Sequence, residues 1–436
     1  SIIKGTLKVT GTLSDSTAVS VESGATYDVD STDTIGSIAG AGSIEIASGK
    51  TLSAGGLNTD TEVSGVISGG GGFSKSGTGT TTLSGANTYT GATSIIKGTL
   101  KVTGTLSDST AVNVSSGATY DVDQTDTIGS ISGAGSIEIA GGKTLSAGGL
   151  NTDTEVSGVI SGEGGFSKSG TGTTTLSGGN TYTGATTISK GTLKVTGSLN
   201  DKTDVNVLSE GTYQVANSDA VNSIAGKGSI EILSGETLEI SGDKTNTSFS
   251  GVIRDGGSLE KSGNGTLTLS GASQYTGDTT VSAGVLATSK DHSLSEDSST
   301  TVTSGGVIDL NSTSQTIASL VIEKGGEVTG AEESSRLSVN RLLNAGEIDF
   351  AVLHGTDQQD VFYSTGEIEM EEKPSAITNT KGQCESFDCY GSIDLKGGND
   401  LIATGADITI PDGSVIDGGD IGSLDSGQWE GEMNIF

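Results

Sequence analysis

The segment Ser1-Ile-Ile-Lys-Gly-Thr-Leu-Lys-Val9 returns unchanged as Ser94-Ile-Ile-Lys-Gly-Thr-Leu-Lys-Val102. Its glycine falls at Gly5, Gly98, Gly191 and Gly284, always 93 residues apart. Residues 1–93 and 94–186 agree at 86 of 93 positions. The differences are polar or small swaps, such as Ser20 to Asn113 and Gly70 to Glu163, and no large apolar residue changes. A third copy, 187–279, is more divergent but keeps the register without a gap, and a partial copy fills 280–345. Self-similarity at a fixed period is the mark of a repeat architecture, in which each unit buries its apolar face against its neighbours.

Within one unit the apolar residues come in short alternations: Leu7 and Val9, Tyr27 and Val29, Ile44 and Ile46, Val66 and Phe73, then Leu83. Such alternation puts one row of side chains on one face of a strand. Glycine and Ser/Thr/Asn/Asp clusters between the alternations read as turns. Five clusters per unit, roughly 18–19 residues apart, predict an all-β, right-handed parallel β-helix, an elongated solenoid. Its coils stack ~4.8 Å apart, so roughly 22 rungs would give a rod on the order of 100 Å. A β-propeller is the rival, but its blades take ~40–50 residues. Residues one period apart are expected to hold the same place in their coils and to point inward. These are Leu83, Leu176 and Leu269; Tyr89, Tyr182 and Tyr275; and Ile44, Ile137 and Ile230.

Composition agrees with a thin core. The 436 residues include 71 glycines and 2 prolines, with 31% hydrophobic, 4% aromatic and 17% charged residues. Too little proline is present for collagen, and no apolar run approaches the ~20 residues of a spanning helix. The net charge is −32. Nucleic acid and anionic membrane surfaces are therefore poor partners, because phosphates need a basic face. Residues 347–436 hold 19 of the 54 acidic residues and 3 lysines, which is half of the net charge. They form a second, acidic segment, 346–436, after the repeat region 1–345.

Leu83-Ser-Gly-Ala-Asn-Thr-Tyr-Thr-Gly-Ala-Thr, followed by Ile95 and Gly98-Thr-Leu100, resembles the passenger-associated transport repeat of bacterial autotransporters. It recurs from Leu176, with Ile188 and Gly191-Thr-Leu193, and more loosely from Leu269, with Val281 and Gly284-Val-Leu286. Residues 305–320 look like another passenger rung. The resemblance covers about 1–345. It implies a β-helix exported through periplasm and outer membrane to the cell surface, attached there by a translocator barrel that this sequence does not show. Ser1 falls inside a repeat, so the chain reads as a fragment. The resemblance also implies an adhesin rather than a protease. A Gly-Asp-Ser-Gly motif is missing, the nearest string being Leu424-Asp-Ser-Gly427, and the histidines are the isolated His292 and His354.

Four groups of residues are candidates for function. Asn58-Thr59-Asp60-Thr61 recurs as Asn151-Thr152-Asp153-Thr154, and stacked short polar side chains would let a second rod bond side by side. The competing reading is a solvated turn. Asp28, Asp30 and Asp33 recur as Asp121, Asp123 and Asp126, a carboxylate set for calcium or simply solvated acid. Asp357, Asp360, Asn399 and Asp400 sit in loose glycine-aspartate turns, where calcium is the one cofactor to consider and Asx turns the alternative. Cys384 and Cys389 read as a small-loop disulfide, which implies an oxidising compartment. The expected function is a non-enzymatic adhesin driving aggregation or biofilm formation with like molecules on neighbouring cells. Binding of a host receptor or glycan is the alternative, and a polysaccharide lyase is disfavoured because the arginines are only Arg254, Arg336 and Arg341.

Overall fold

The computed structural model describes residues 1–242, 246–330 and 335–344. Beyond these it describes the backbone of short strands: Glu347–Asp349, Val352–Gly355, Val361–Ser364, Glu367–Met370, Thr378–Asn379, Ser386–Cys389, Ser392–Leu395, Ile408–Thr409 and Val415–Asp417. The described secondary structure is strand without helix, wound into a parallel β-solenoid of about 16 turns. That is fewer than the spacing of apolar clusters predicts, because a turn is longer than a cluster interval. Two compact units are present, Ser1–Asn217 and Ser218–Phe436.

In the first unit each turn visits three sheets. Ser43–Ile46, Thr51–Ala54 and Thr61–Val63 make one turn and belong to the first, second and third sheet respectively. The first sheet begins Gly5–Val9, Ala25–Val29, Ser43–Ile46, Ile67–Ser68. It resumes as Asp126–Ile128, Thr144–Ala147 and Gly165–Lys168, then the start of Thr186–Val195. The second sheet stacks Asp33–Ile35, Thr51–Ala54, Gly72–Lys75, Thr93–Ile95, Ala111–Val114 and Ser130–Gly133. It continues through Thr154–Val156 and Thr173–Leu176 to the end of Thr186–Val195. The third sheet includes Thr61–Val63, Thr80–Leu83, Gly98–Val102, Ala118–Val122, Ser136–Ile139 and Ile160–Gly162. Every pairing is parallel, and Gly5 lies opposite Ala25, a stride of 20 residues.

These registers carry a consequence that the 93-residue period hides. Gly5–Val9 lies on the first sheet, its identical copy Gly98–Val102 on the third, and Gly191–Val195 on the second. With three segments per turn, one repeat is therefore four turns and two thirds. Equivalent positions of successive copies do not share a column; each copy is rotated by a third of a turn.

The core is a single file of side chains. Ala25, Tyr27 and Val29 are buried while Thr26 and Asp28 are only half-buried, the alternation of a strand with one inward face. All nine residues expected inward, at Leu83, Tyr89, Ile44 and their equivalents, are at most 1% exposed. Tyr89 and Tyr182 keep their hydroxyls satisfied inside, each 2.6 Å from the hydroxyl of Thr93 or Thr186. Burial pushes the Tyr89 phenol well above its usual range. Glycine is compulsory where coils touch. A Cβ on Gly65 would lie 1.8 Å from the Gly42 carbonyl oxygen, and one on Gly158 would lie 1.7 Å from that of Gly135.

The second unit repeats the scheme. Asp219–Val221, Thr237–Ile240, Ser258–Lys261, Thr279–Val281 and Ser299–Val302 stack as one of its sheets.

Candidate interaction surface

Residues that alternate with the core point outward, and parallel register stacks them into rows along each sheet. On the second sheet one row runs Thr34, Ser53, Ser74, Ser94, Asn113, Ser132, pairing turn to turn. It holds no charge over six turns, a length of roughly 24 Å at ~4.8 Å per turn. Asn113 Nδ2 donates to Ser132 Oγ at 3.0 Å. The second repeat builds the same row on the first sheet: Thr127, Ser146, Ser167, Thr187, Asn206. The corresponding row on the third sheet is different. It runs Glu62, Thr82, Lys101, Asp121, Glu138, Ser161.

The Asn-Thr-Asp-Thr tetrads are placed otherwise than a ladder requires. Asn58–Thr61 turns from the second sheet to the third, and Asn151–Thr154 from the first to the second, so the two do not stack. Most of their acceptors are spent on the next turn. Asn58 Oδ1 accepts from Thr78 N at 2.8 Å and Thr78 Oγ1 at 3.1 Å, and Asp60 Oδ1 accepts from Thr80 N at 2.7 Å. Asn151 and Asp153 repeat this with Thr171 and Thr173 at the same distances. Thr61 Oγ1 lies 3.4 Å from Thr81 Oγ1, as Thr154 does from Thr174. Asn58 and Asn151 take φ of 59° and 58°, a left-handed conformation that asparagine tolerates better than other side chains. Thr59 and Thr152 are exposed.

The carboxylates of the first two repeats also have partners. Lys8 Nζ bridges Asp28 at 3.0 Å and Asp30 at 2.5 Å. Hydrogen bonds from Asp30 and Asp28 push Lys8 up to about 12, and Lys8 in turn holds Asp30 below its usual range. Lys101 bridges Asp123 and Asp121 in the same way. A lysine thus occupies the place between two acids that a cation would take. Asp33 is not on that face at all: it is 2% exposed, accepts from Leu13 N at 3.1 Å, and lies 3.5 Å from the Tyr27 hydroxyl. Its equivalent Asp126 is 4% exposed and burial pushes its carboxyl up to about 6. Among the described residues no group of three or more His, Cys, Asp or Glu is set to hold a metal. Asp357, Asp360, Asn399, Asp400 and Cys384 lie outside the described residues, as does the side chain of Cys389.

Three functional-looking lysines escaped sequence reasoning. Lys75, Lys168 and Lys261 are at most 2% exposed. Lys75 Nζ donates to the carbonyls of Ser76 at 2.8 Å, Gly77 at 2.8 Å and Lys97 at 3.0 Å. Lys168 Nζ donates to Ser169 at 2.6 Å, Gly170 at 2.8 Å and Lys190 at 3.1 Å. Lys261 Nζ bonds the carbonyls of Gly263 and Ala283. Each ammonium ties one corner to the corner of the next turn. Burial pushes both Lys75 and Lys168 down to about 8. The signal was parity: Lys75 is two residues after Phe73, on the inward phase of its strand.

The passenger-associated-transport-repeat family matches residues 73–102, 166–195 and 259–287. Each match begins at the inward Phe73, Phe166 or Leu259 and contains the buried lysine two residues later. Over 114 residues, 24% of this chain, the sequence is 37% identical to the adhesin BmaC autotransporter of Brucella suis biovar 1 (strain 1330). The matched stretch is 3% of that adhesin, so the chain spans a small part of its length. Three transport repeats at the chain's own period, on a parallel β-solenoid, make this chain an autotransporter passenger domain of the passenger-associated-transport-repeat type, a protein of the cell surface or exterior.

Proposed function

We propose that this passenger is an adhesin that holds like molecules side by side, and that cell aggregation and biofilm formation are the result. The observation that carries the reading is the uncharged row Thr34–Ser53–Ser74–Ser94–Asn113–Ser132 on a chain of net charge −32. Two copies meeting through charged rows repel. Two meeting through hydroxyls and amides do not, since a hydroxyl both donates and accepts. One such bond contributes about 1 kcal/mol, but bonds along one rigid edge act together. The similarity to an adhesin, rather than to any enzyme, supports a binding role. The partner on the membrane side is the translocator barrel expected of this family.

Beads coated with the chain test the proposal. They should clump, and more so as salt rises, because screening shortens the reach of the net charge to about 8 Å at physiological ionic strength. Beads that stay dispersed at every salt and pH, with the free protein monomeric at high concentration, refute it. Binding of single dispersed beads to host cells would instead favour a receptor or glycan ligand.

A further inference from the structure

We propose that this chain is bivalent: its two uncharged rows, a third of a turn apart, each receive a second copy, so association grows as an open series instead of closing at a dimer. The inference rests on the self-association reading and adds its geometry. The first row lies on the second sheet and the other, Thr127–Ser146–Ser167–Thr187–Asn206, on the first. Both come from the same repeat positions. They sit on different faces because one repeat is four turns and two thirds, which also separates them along the solenoid by roughly 22 Å.

The occupant follows from charge. Each row is bounded by charged ones. The first sheet bears Lys8, Asp28 and Glu45 before its neutral row, and the second bears Glu155 and Lys194 after its own. A partner carrying net negative charge fits only where the surface is neutral, and another copy of this chain offers a matching neutral row. Ser74, in the middle of the first row, is 5% exposed and its hydroxyl has no partner within the chain. The third repeat supplies an internal contrast. Its equivalent positions run Ala220, Glu239, Glu260, Thr280, Thr301, so two adjacent glutamates close that row to a like-charged partner. Two adhesive rows remain, not three. Two different self-complementary contacts per molecule generate an open assembly, whereas one closes at a dimer.

The same contrast designs the test. Ser53→Glu with Ser74→Glu gives the first row the residues that the third repeat already carries at Glu239 and Glu260. Ser146→Glu with Ser167→Glu does so for the other row. The solenoid accepts glutamate at these positions, and far-UV circular dichroism checks each variant. Masses are read by sedimentation velocity on the 436-residue chain. The unaltered chain should show species beyond the dimer, each single-row variant should stop at twice the monomer mass, and the four-site variant should be monomeric. An unaltered chain that stops at dimers overturns bivalence and leaves self-association standing. One that is monomeric throughout overturns both. Single-row variants that assemble like the unaltered chain, or that lose all association, overturn bivalence as well.

Discussion

The buried lysines make the solenoid's stability rise with pH in a window where most proteins are level or falling. Lys75 and Lys168 hold folded pKa values of about 8 against an ordinary value of 10.5. Below pH 8 both states carry the proton, and the folded state bears the cost of a charge removed from water. Between pH 8 and 10.5 the unfolded chain binds the extra proton, so raising the pH favours folding. Each pH unit of difference is worth about 1.4 kcal/mol. Two lysines near pH 9 therefore give a slope of about 2.5 kcal/mol per pH unit. The tyrosines oppose this above pH 10, because buried phenols such as Tyr89 and Tyr275 stay protonated while unfolded ones ionise. The clean interval is pH 8 to 10. Urea midpoints by far-UV circular dichroism should rise across it, and Lys75→Met with Lys168→Met should flatten the curve. A flat or falling midpoint in the unaltered chain, or the same rise in the double variant, refutes the assignment of the slope to these two amines.

Three further outcomes follow from the same geometry. Asn58→Ala with Asn151→Ala should cost about 2 kcal/mol per site. Each site loses two hydrogen bonds to the next turn and places alanine at positive φ; the assembly read by light scattering at matched folded fraction should not change. Gly158→Ala should abolish soluble folded protein, since its Cβ meets the Gly135 carbonyl oxygen at 1.7 Å, whereas Gly142→Ala, with φ of 71° and open space, should cost only about 1 kcal/mol in a urea titration. Tyr89→Phe should lower stability by about 1 kcal/mol by orphaning the Thr93 hydroxyl, which a thermal melt compared with Thr93→Val will detect.

What was legible in the sequence was whatever depends on strand parity. Tyr27 and Val29 alternate with Thr26 and Asp28, and that pattern fixes which side chains enter the core without knowledge of any neighbour. Lys75 obeys the same parity, yet its charge argued for the surface; only the three carbonyls gathered at the corner explain why an amine sits among apolar residues. The tetrad Asn58–Thr61 looked available for a partner because its partners, Thr78 to Thr81, are 20 residues away in sequence and one turn away in space. Asp28 and Asp30 looked like a cation pair for the same reason, with Lys8 one turn before them.

The turn count was the least legible, since strides are uneven. Tyr120 pairs with Ile137 after 17 residues, and Ile137 with Ile160 after 23. A sequence period of 93 therefore invites the assumption of a whole number of turns, and the assumption fails by a third. The failure has a physical corollary. Near-identical sequence packs on each of the three sheets in turn, so the sheets must offer nearly the same interior at each corner. The glycine contacts agree, with Gly65 and Gly158 meeting their carbonyls within 0.1 Å of each other although they stand at different corners. A substitution copied through every repeat would thus alter all three faces at once. A difference confined to one repeat, such as Glu239 and Glu260 in place of Ser53 and Ser74, changes one face alone. Divergence between repeats is how a solenoid with this screw gives its faces separate roles.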